Sequence, residues 1–341
     1  MRSILIGFAF AGALLLSGQH LVRKLKLQAD PSSVKEFPLP NANSGPTTIT
    51  FGPDGNLWFT ESAGNRIGLI APDGSGLQEF PLPHPGSAPR IIAVGSDKNI
   101  WFSEHEGSRI GRISPKGQLL EFTIPTADSQ PRAIALGADG AIWFGEFKSG
   151  KIGRVNPKGF FTEYPIPTPN SGPRALAAGA DGNIWFSEFN AGKVGRITMK
   201  GAITEFPIPG SNRGPGDITA GQDGNMWFLE LNGRMDNRNV DGNRVARITR
   251  EGVITEFPIS SPNASPINIA AGPDGNIWFT MAGKLGYVTS EGKMGVVDLP
   301  TPNGRPTGLS AGSDRQPPNR MFDQLWFTES GANKIGVLSF K

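Results

Sequence analysis

From Val34 to Lys341, apolar residues fall on alternate positions in short runs of four to six, and each run is closed by Gly, Pro or an Asp-Gly pair. A period of two marks half-buried strands, and Gly and Pro at this density punctuate turns. All seven tryptophans stand in one dipeptide, Trp-Phe, at 58, 101, 143, 185, 227, 278 and 326, with spacings of 43, 42, 42, 42, 51 and 48. Each unit reads Pro-x-x-Ile/Leu, then Gly-x-Asp-Gly-x-Ile/Leu-Trp-Phe-x-Glu, then Ile/Val-Gly-Arg-Ile/Val, then Gly followed by Glu-Phe-Pro-Ile/Leu-Pro. A repeat of about 40–50 residues rich in Gly and aromatics is the mark of propeller blades. The pattern predicts an all-β fold, a seven-bladed β-propeller of four-stranded blades. Asp54-Gly55, Asp139-Gly140, Asp181-Gly182, Asp223-Gly224 and Asp274-Gly275 are its expected hairpin turns between first and second strands. Strands this short cannot persist alone and must stack on neighbouring blades.

The outermost strand follows every Trp-Phe except the last, and an extra copy, Glu36-Phe37-Pro38-Leu39-Pro40, precedes the first. Val34–Leu39 is therefore expected to pair with Ile335–Leu338 and complete the seventh blade, leaving no open edge. Proline is tolerated there because an outermost strand needs no donor on its far side. The expected propeller spans 31–341. Residues 1–30 read as a signal peptide or N-terminal anchor and linker, because the apolar run Ile4–Leu16 has 13 residues, short of the ~20 that a spanning helix needs. Arg23, Lys24 and Lys26 just beyond leave an uncleaved anchor open. The chain is expected to be exported, periplasmic or secreted, with no membrane contact beyond that segment.

Composition narrows the chemistry. Gly 46 and Pro 30 make up about a fifth of 341 residues, which suits many short strands and turns rather than a helical bundle. The 33 basic and 30 acidic residues leave +3, with no basic run beyond the first thirty residues, so nucleic acid is not an expected partner. Zero cysteines exclude disulfides, thiolate metal sites and a cysteine nucleophile. We expect a monomer.

Repetition separates scaffold from function. The glutamate after Trp-Phe recurs in six of seven units, at 61, 104, 146, 188, 230 and 329. One active site does not need six copies, so these are expected to hydrogen-bond loop amides or the Arg of Gly-Arg-Ile. Function should lie where units differ. Unit five lengthens the connection between its second and third strands, and the Asn232–Asn243 loop ranks first among inserts. The residue after the inner-strand proline reads Thr47, Arg90, Arg132, Arg174, Gly216, Ile267 and Thr307 around the ring. Arg90, Arg132 and Arg174, with Asp217, form the candidate ligand-binding set, since guanidinium forks suit a carboxylate or phosphate. The expected partner is a small-molecule or anionic ligand at the central opening. Pairing of each Arg with a Trp-Phe-x-Glu carboxylate stays open as the alternative. His84 and His105, beside Glu104 and Glu106 in the second unit, are with Glu104 the candidate catalytic residues, as acid and base or as metal ligands.

The motifs Gly-Pro-Asp-Gly-Asn-Leu/Ile-Trp-Phe-Thr-Glu, Asn-x-Ile-Gly-x-Ile and Glu-Phe-Pro-Leu/Ile-Pro-x-Pro-Asn-Ser-Gly-Pro together resemble the streptogramin B lyase, or virginiamycin B lyase, family over about Val34 to Lys341. The resemblance implies a magnesium-dependent carbon–oxygen lyase that opens a cyclic depsipeptide antibiotic by elimination. Such a reaction needs a general base for a proton beside a carbonyl, and a metal that steadies the enolate. The family places a histidine directly after the inner-strand proline in the last two blades, with a glutamate just before one of those prolines. This chain has Pro266-Ile267 and Pro306-Thr307, preceded by Ser265 and Arg305, and a shift of one blade gives Gly216 and Ile267. The family's further glutamate falls near Ser330-Gly331, or at Ala282 in the shifted register. The fold follows from the resemblance, whereas the lyase activity does not. The expected function is an exported ligand-binding or diverged member. A streptogramin B lyase with a relocated base such as His105, or another metal-assisted lactone- or ester-opening enzyme, stays open. Mg2+ is implied by the resemblance alone.

Overall fold

The computed structural model describes residue 29 and residues 33–231, 233–235, 238–261, 264–312 and 324–340. Seven antiparallel four-stranded sheets follow one another in chain order. Blade one runs over 46–81, two over 89–123, three over 131–165, four over 173–207, five over 215–258 and six over 269–298. Blade seven takes three strands from 306–339, and Lys35–Pro38 supplies its fourth. Lys35 faces Val337 and Pro38 faces Lys334, so the ring closes between the chain's two ends as the repeat predicts. Ala29 adds a bridge to Phe340. The predicted signal segment lies outside the described residues except for this edge.

The repeated residues build the interfaces between blades. Seven apolar clusters lie around the ring, and each takes a Trp from one blade and the Trp-Phe phenylalanine of the next: Trp58 with Phe102, Trp101 with Phe144, and so on to Trp326 with Phe59. Each Trp and Phe of the seven dipeptides is buried. Six indoles also stack on an aromatic of their own outermost strand, as Trp58 does on Phe80 at 5.7 Å and Trp326 on Phe37 at 5.9 Å. The Asp of the hairpin turn accepts the indole Nε1–H at 3.0–3.2 Å in blades one to six, so this turn carboxylate locks a core ring. In blade seven Gln324 takes that part. The third-strand glycine is a close-approach position: a Cβ on Gly68 would stand 2.2 Å from the Phe59 ring.

The glutamates have partners other than those expected. Arg66 donates to Glu61 at 2.7 Å and Arg109 to Glu104 at 2.9 Å, and both arginines open their third strand, one residue before Ile-Gly. The arginine of Gly-Arg-Ile turns the other way. Arg112 reaches Asp97 at 3.2 Å and lies over the Trp101 ring at 5.3 Å. Strand alternation explains the difference, since residues three apart point to opposite faces. Behind the buried glutamates, Glu79, Glu121, Glu163, Glu205, Glu256 and Glu36 raise or share the carboxyl charge from the outermost strands. The set is a scaffold feature repeated six times.

Candidate anion-binding site

Six of the seven inner strands begin at their proline, blade six starting at Ile269 after Pro266, and ring symmetry carries the residues after the prolines to one end of the central channel. The strand register shifts just after that proline, between Pro89 and Ile92 in blade two and between Pro215 and Ile218 in blade five. Such irregularities re-aim side chains at functional ends of sheets. Arg90, Arg132, Arg174 and Asp217 line one cavity of about 110 Å3, opposite Thr47, Ile267 and Thr307. A second cavity of about 130 Å3 adjoins it through Thr48, Ile91, Arg174, Asp217 and Asn268. The structure thus brings together the four candidate ligand-binding residues.

Asp217 lies deep in the ring. Asn268 Nδ2 donates to its Oδ2 at 2.5 Å, while Asn268 Oδ1 accepts from the Leu309 amide at 2.9 Å. An amide bound at both ends has one orientation, so Asn268 fixes the carboxylate. Burial pushes the Asp217 carboxyl above the usual range; Arg174, the Asn268 hydrogen bond, Arg132 and Arg90 each act against that rise. Three guanidiniums therefore act on the Asp217 carboxylate.

Two of these arginines are also stacked. Arg132 lies over Phe147 at 4.6 Å and Arg174 over Phe189 at 5.2 Å, and the two rings are 6.5 Å apart. Sequence reasoning missed this aromatic layer. Its signal is the residue after the repeated glutamate, which reads Ser62, His105, Phe147, Phe189, Leu231 and Ser330 where a glutamate precedes it. That residue packs on the one after the inner-strand proline: Ser62 Oγ lies 2.6 Å from Thr47 Oγ1, and a Cβ on Gly216 would stand 2.7 Å from Leu231. The two variable positions therefore vary together in blades three and four.

The unit-five insert is a two-stranded hairpin, Gly233–Met235 with Arg238–Val240. Its last residue, Val240, is buried in one cluster with Phe189. Arg213 Nη1 donates to Asp241 O at 2.9 Å and anchors the hairpin's foot. The insert thus braces the ring on which Arg174 stacks.

The candidate catalytic residues are placed elsewhere. His84 is exposed, and its Nδ1 lies 2.6 Å from Glu121 Oε2 on the outermost strand of blade two. Glu104 is fully buried beneath Arg109, and burial pushes its carboxyl up. His105 is buried in the position that Phe147 and Phe189 take, with Nδ1 3.4 Å from Pro131 O and Nε2 3.6 Å from Glu106 Oε1. None of the three lines either cavity. The structure does not gather them into one site.

The magnesium implied by the resemblance does not fit the residues present. Ile267 offers no donor, Arg305 is a cation, and Asp217 stands among three guanidiniums that oppose a divalent cation. Among the described residues no group of three or more His, Asp or Glu could hold a metal.

Comparison with known proteins gives the lineage. The family model described as the virginiamycin B lyase family matches residues 6–238 and 232–341. A solved streptogramin B lyase is 35% identical with a TM-score of 0.81, over 90% of this chain and 97% of that one. A catalytically inactive variant of virginiamycin B lyase from Staphylococcus aureus, solved with quinupristin, is 36% identical with the same TM-score, over 90% and 98%. Hydrazine synthase from Kuenenia stuttgartiensis, at 14% identity and a TM-score of 0.71 over 88% and 97%, shares the fold alone. No curated protein matches.

Proposed function

The chain belongs to the virginiamycin B lyase family, and from that premise we propose that it is an exported, monomeric ligand-binding member whose central cavity takes a small anionic ligand. The observation that carries this reading is the convergence of Arg90, Arg132 and Arg174 on one cavity, at the register where the resemblance places histidines in other blades. Guanidiniums in a partly desolvated recess hold anions through charge-assisted hydrogen bonds, roughly twice as strong as neutral ones. Stacking on Phe147 and Phe189 fixes two guanidinium planes before a ligand arrives, which lowers the entropy lost on binding. The proton abstraction of an elimination lacks support here, because Ile267 and Thr307 offer no base.

The test is anion binding by the purified chain, read by calorimetry and thermal shift against a panel of small carboxylates and phosphates. Changing Arg90, Arg132 and Arg174 to Gln should abolish binding of any anion so found, with an unchanged far-ultraviolet spectrum. Equal affinity before and after the change would remove the site.

A further inference from the structure

We propose that the end of the ring opposite the central cavities, over blades two to four, docks on the surface of an anionic lipid bilayer. The strand register defines that end. In blade three Leu136, Ile142, Val155 and Phe161 stand level there, while Pro131, Glu146, Lys151 and Pro165 stand level at the cavity end. The far face is therefore built from the turns joining first to second and third to fourth strands.

The turns between third and fourth strands are alike in backbone and unlike in charge. The glycine of each donates its amide three residues back, Gly117 to Ser114 O at 2.8 Å, Gly159 to Asn156 O at 2.9 Å and Gly201 to Thr198 O at 2.9 Å. The residue before that glycine is thereby held out at the tip of the turn. It is Lys116, Lys158 and Lys200 in blades two, three and four, but Asp73, Glu251 and Glu291 in blades one, five and six, and all six are exposed. Blade two adds exposed Lys98, which stands where other hairpin turns have the glycine of Asp-Gly. The turn aspartates of these three blades are already matched, Asp97 by Arg112, Asp139 by Arg154 and Asp181 by Arg196. None of the four lysines makes an ion pair among the described residues. Blade packing does not require one sign of charge to gather on three consecutive tips.

Apolar side chains lie within the same arc. Phe160, the residue after Gly159, is 66% exposed, and Leu120 on the outermost strand of blade two is 46% exposed. Arg112, cross-strand from Leu120, donates to Pro157 O at 2.9 Å and so holds the turn of blade three against blade two. Lysines around an exposed aromatic suit a headgroup layer, where the ring enters the acyl boundary and the ammonium groups meet lipid phosphates.

The course of the chain favours a bilayer over a soluble acidic partner. Lys35 faces Val337 and Ala29 bridges Phe340, so the chain enters blade seven from this same end. The apolar run Ile4–Leu16 and the basic Arg23, Lys24 and Lys26 precede that point. Membrane contact then extends beyond the first thirty residues, to which the sequence confined it, and the central cavities open away from the bilayer.

The experiment is cosedimentation of the purified full chain with vesicles of phosphatidylcholine alone and of equal parts phosphatidylcholine and phosphatidylglycerol. We expect at least tenfold tighter binding to the anionic vesicles, weakened by added salt. Combining Lys116→Gln, Lys158→Gln and Lys200→Gln should weaken it on the order of a hundredfold, since each basic residue near such a surface contributes roughly fivefold. Lys158→Gln alone should cost about fivefold. Lys148→Gln removes the same charge from an exposed position at the cavity end and should change nothing. Phe160→Ser should weaken binding several-fold with an unchanged melting temperature. Equal binding to the two kinds of vesicle, as insertion of an N-terminal segment alone would give, would overturn the proposal. Equal losses in Lys148→Gln and Lys158→Gln would overturn it too. So would capture of soluble polyglutamate without binding to anionic vesicles, which would assign the arc to an acidic protein instead.

Discussion

Asn268 holds Asp217 from the neighbouring blade: its Nδ2 donates to Asp217 Oδ2 at 2.5 Å while its Oδ1 takes the Leu309 amide at 2.9 Å. One side chain thus ties blades five, six and seven together at the edge of the cavity. Asn268→Ala leaves a buried carboxylate and a buried amide each short of a partner, at about 1–3 kcal/mol apiece. The expected result is a melting temperature lower by several degrees. Adding Asp217→Asn should recover part of that loss, and a double-mutant cycle on the four proteins reads the coupling. Strictly additive losses would show that the two residues do not act together.

The ring of buried glutamates makes stability depend on pH in an unusual direction. Burial raises the carboxyls of Glu146, Glu230 and Glu329 to about 7 and that of Glu188 to about 8, against 4.5 for the free group. Between about pH 4.5 and these values the folded chain binds more protons than the unfolded one, so stability falls as pH rises through that window. Glu163, Glu205 and Glu36 are lowered instead, through hydrogen bonds that oppose their burial, and lose their contribution as pH falls below 4.5. Maximal stability is expected near pH 4.5, where the two trends meet, and a melting temperature that climbs from pH 6 to pH 8 would contradict it. Glu188→Gln should flatten the alkaline side.

Closure can be tested at both ends of the chain. Trp326 and Phe59 share the cluster that joins blade seven to blade one, and Lys35–Pro38 pairs with the last strand. Trp326→Ala should cost about 3–5 kcal/mol, as large core truncations do. Deleting residues 1–40 should expose a strand edge and lower both solubility and melting temperature. An unchanged melting curve for the truncated chain would rule out this closure.

The histidines separate two readings of blade two. His84 makes one exposed ion pair with Glu121, the kind of contact worth about 0–1 kcal/mol, so His84→Ala should change neither stability nor ligand binding measurably. His105 stands where blades three and four carry Phe, so His105→Phe should fold and bind anions as the parent does. Loss of binding in His105→Phe would make the imidazole itself part of the site.

The legible part of this protein was what repeats. Seven Trp-Phe units, their Asp-Gly turns and the extra Glu36-Phe37-Pro38 strand carry blade number, strand order and closure, because each blade solves the same packing problem. The convergence of Arg90, Arg132, Arg174 and Asp217 was also legible, since symmetry maps equal register to equal height in the channel. Less visible were contacts that depend on which face a side chain takes. Glu104 meets Arg109 and not Arg112, and Phe147 and Phe189 lie under arginines fifteen residues upstream. The part played by Asn268 was hidden for another reason: it acts across blades, through Asp217 51 residues away.

The central claim, that this member of the family binds an anion and does not carry out the elimination, is tested most directly by incubating purified protein with a streptogramin B and magnesium. Mass spectrometry with chromatography reads a linear product of unchanged mass by its shift in retention. General-base catalysis typically contributes about 10²–10⁴-fold. With Ile267 and Thr307 in place of bases, the account predicts no more than a trace of linear product. Robust turnover, abolished by changing Asp217 or His105, would contradict it.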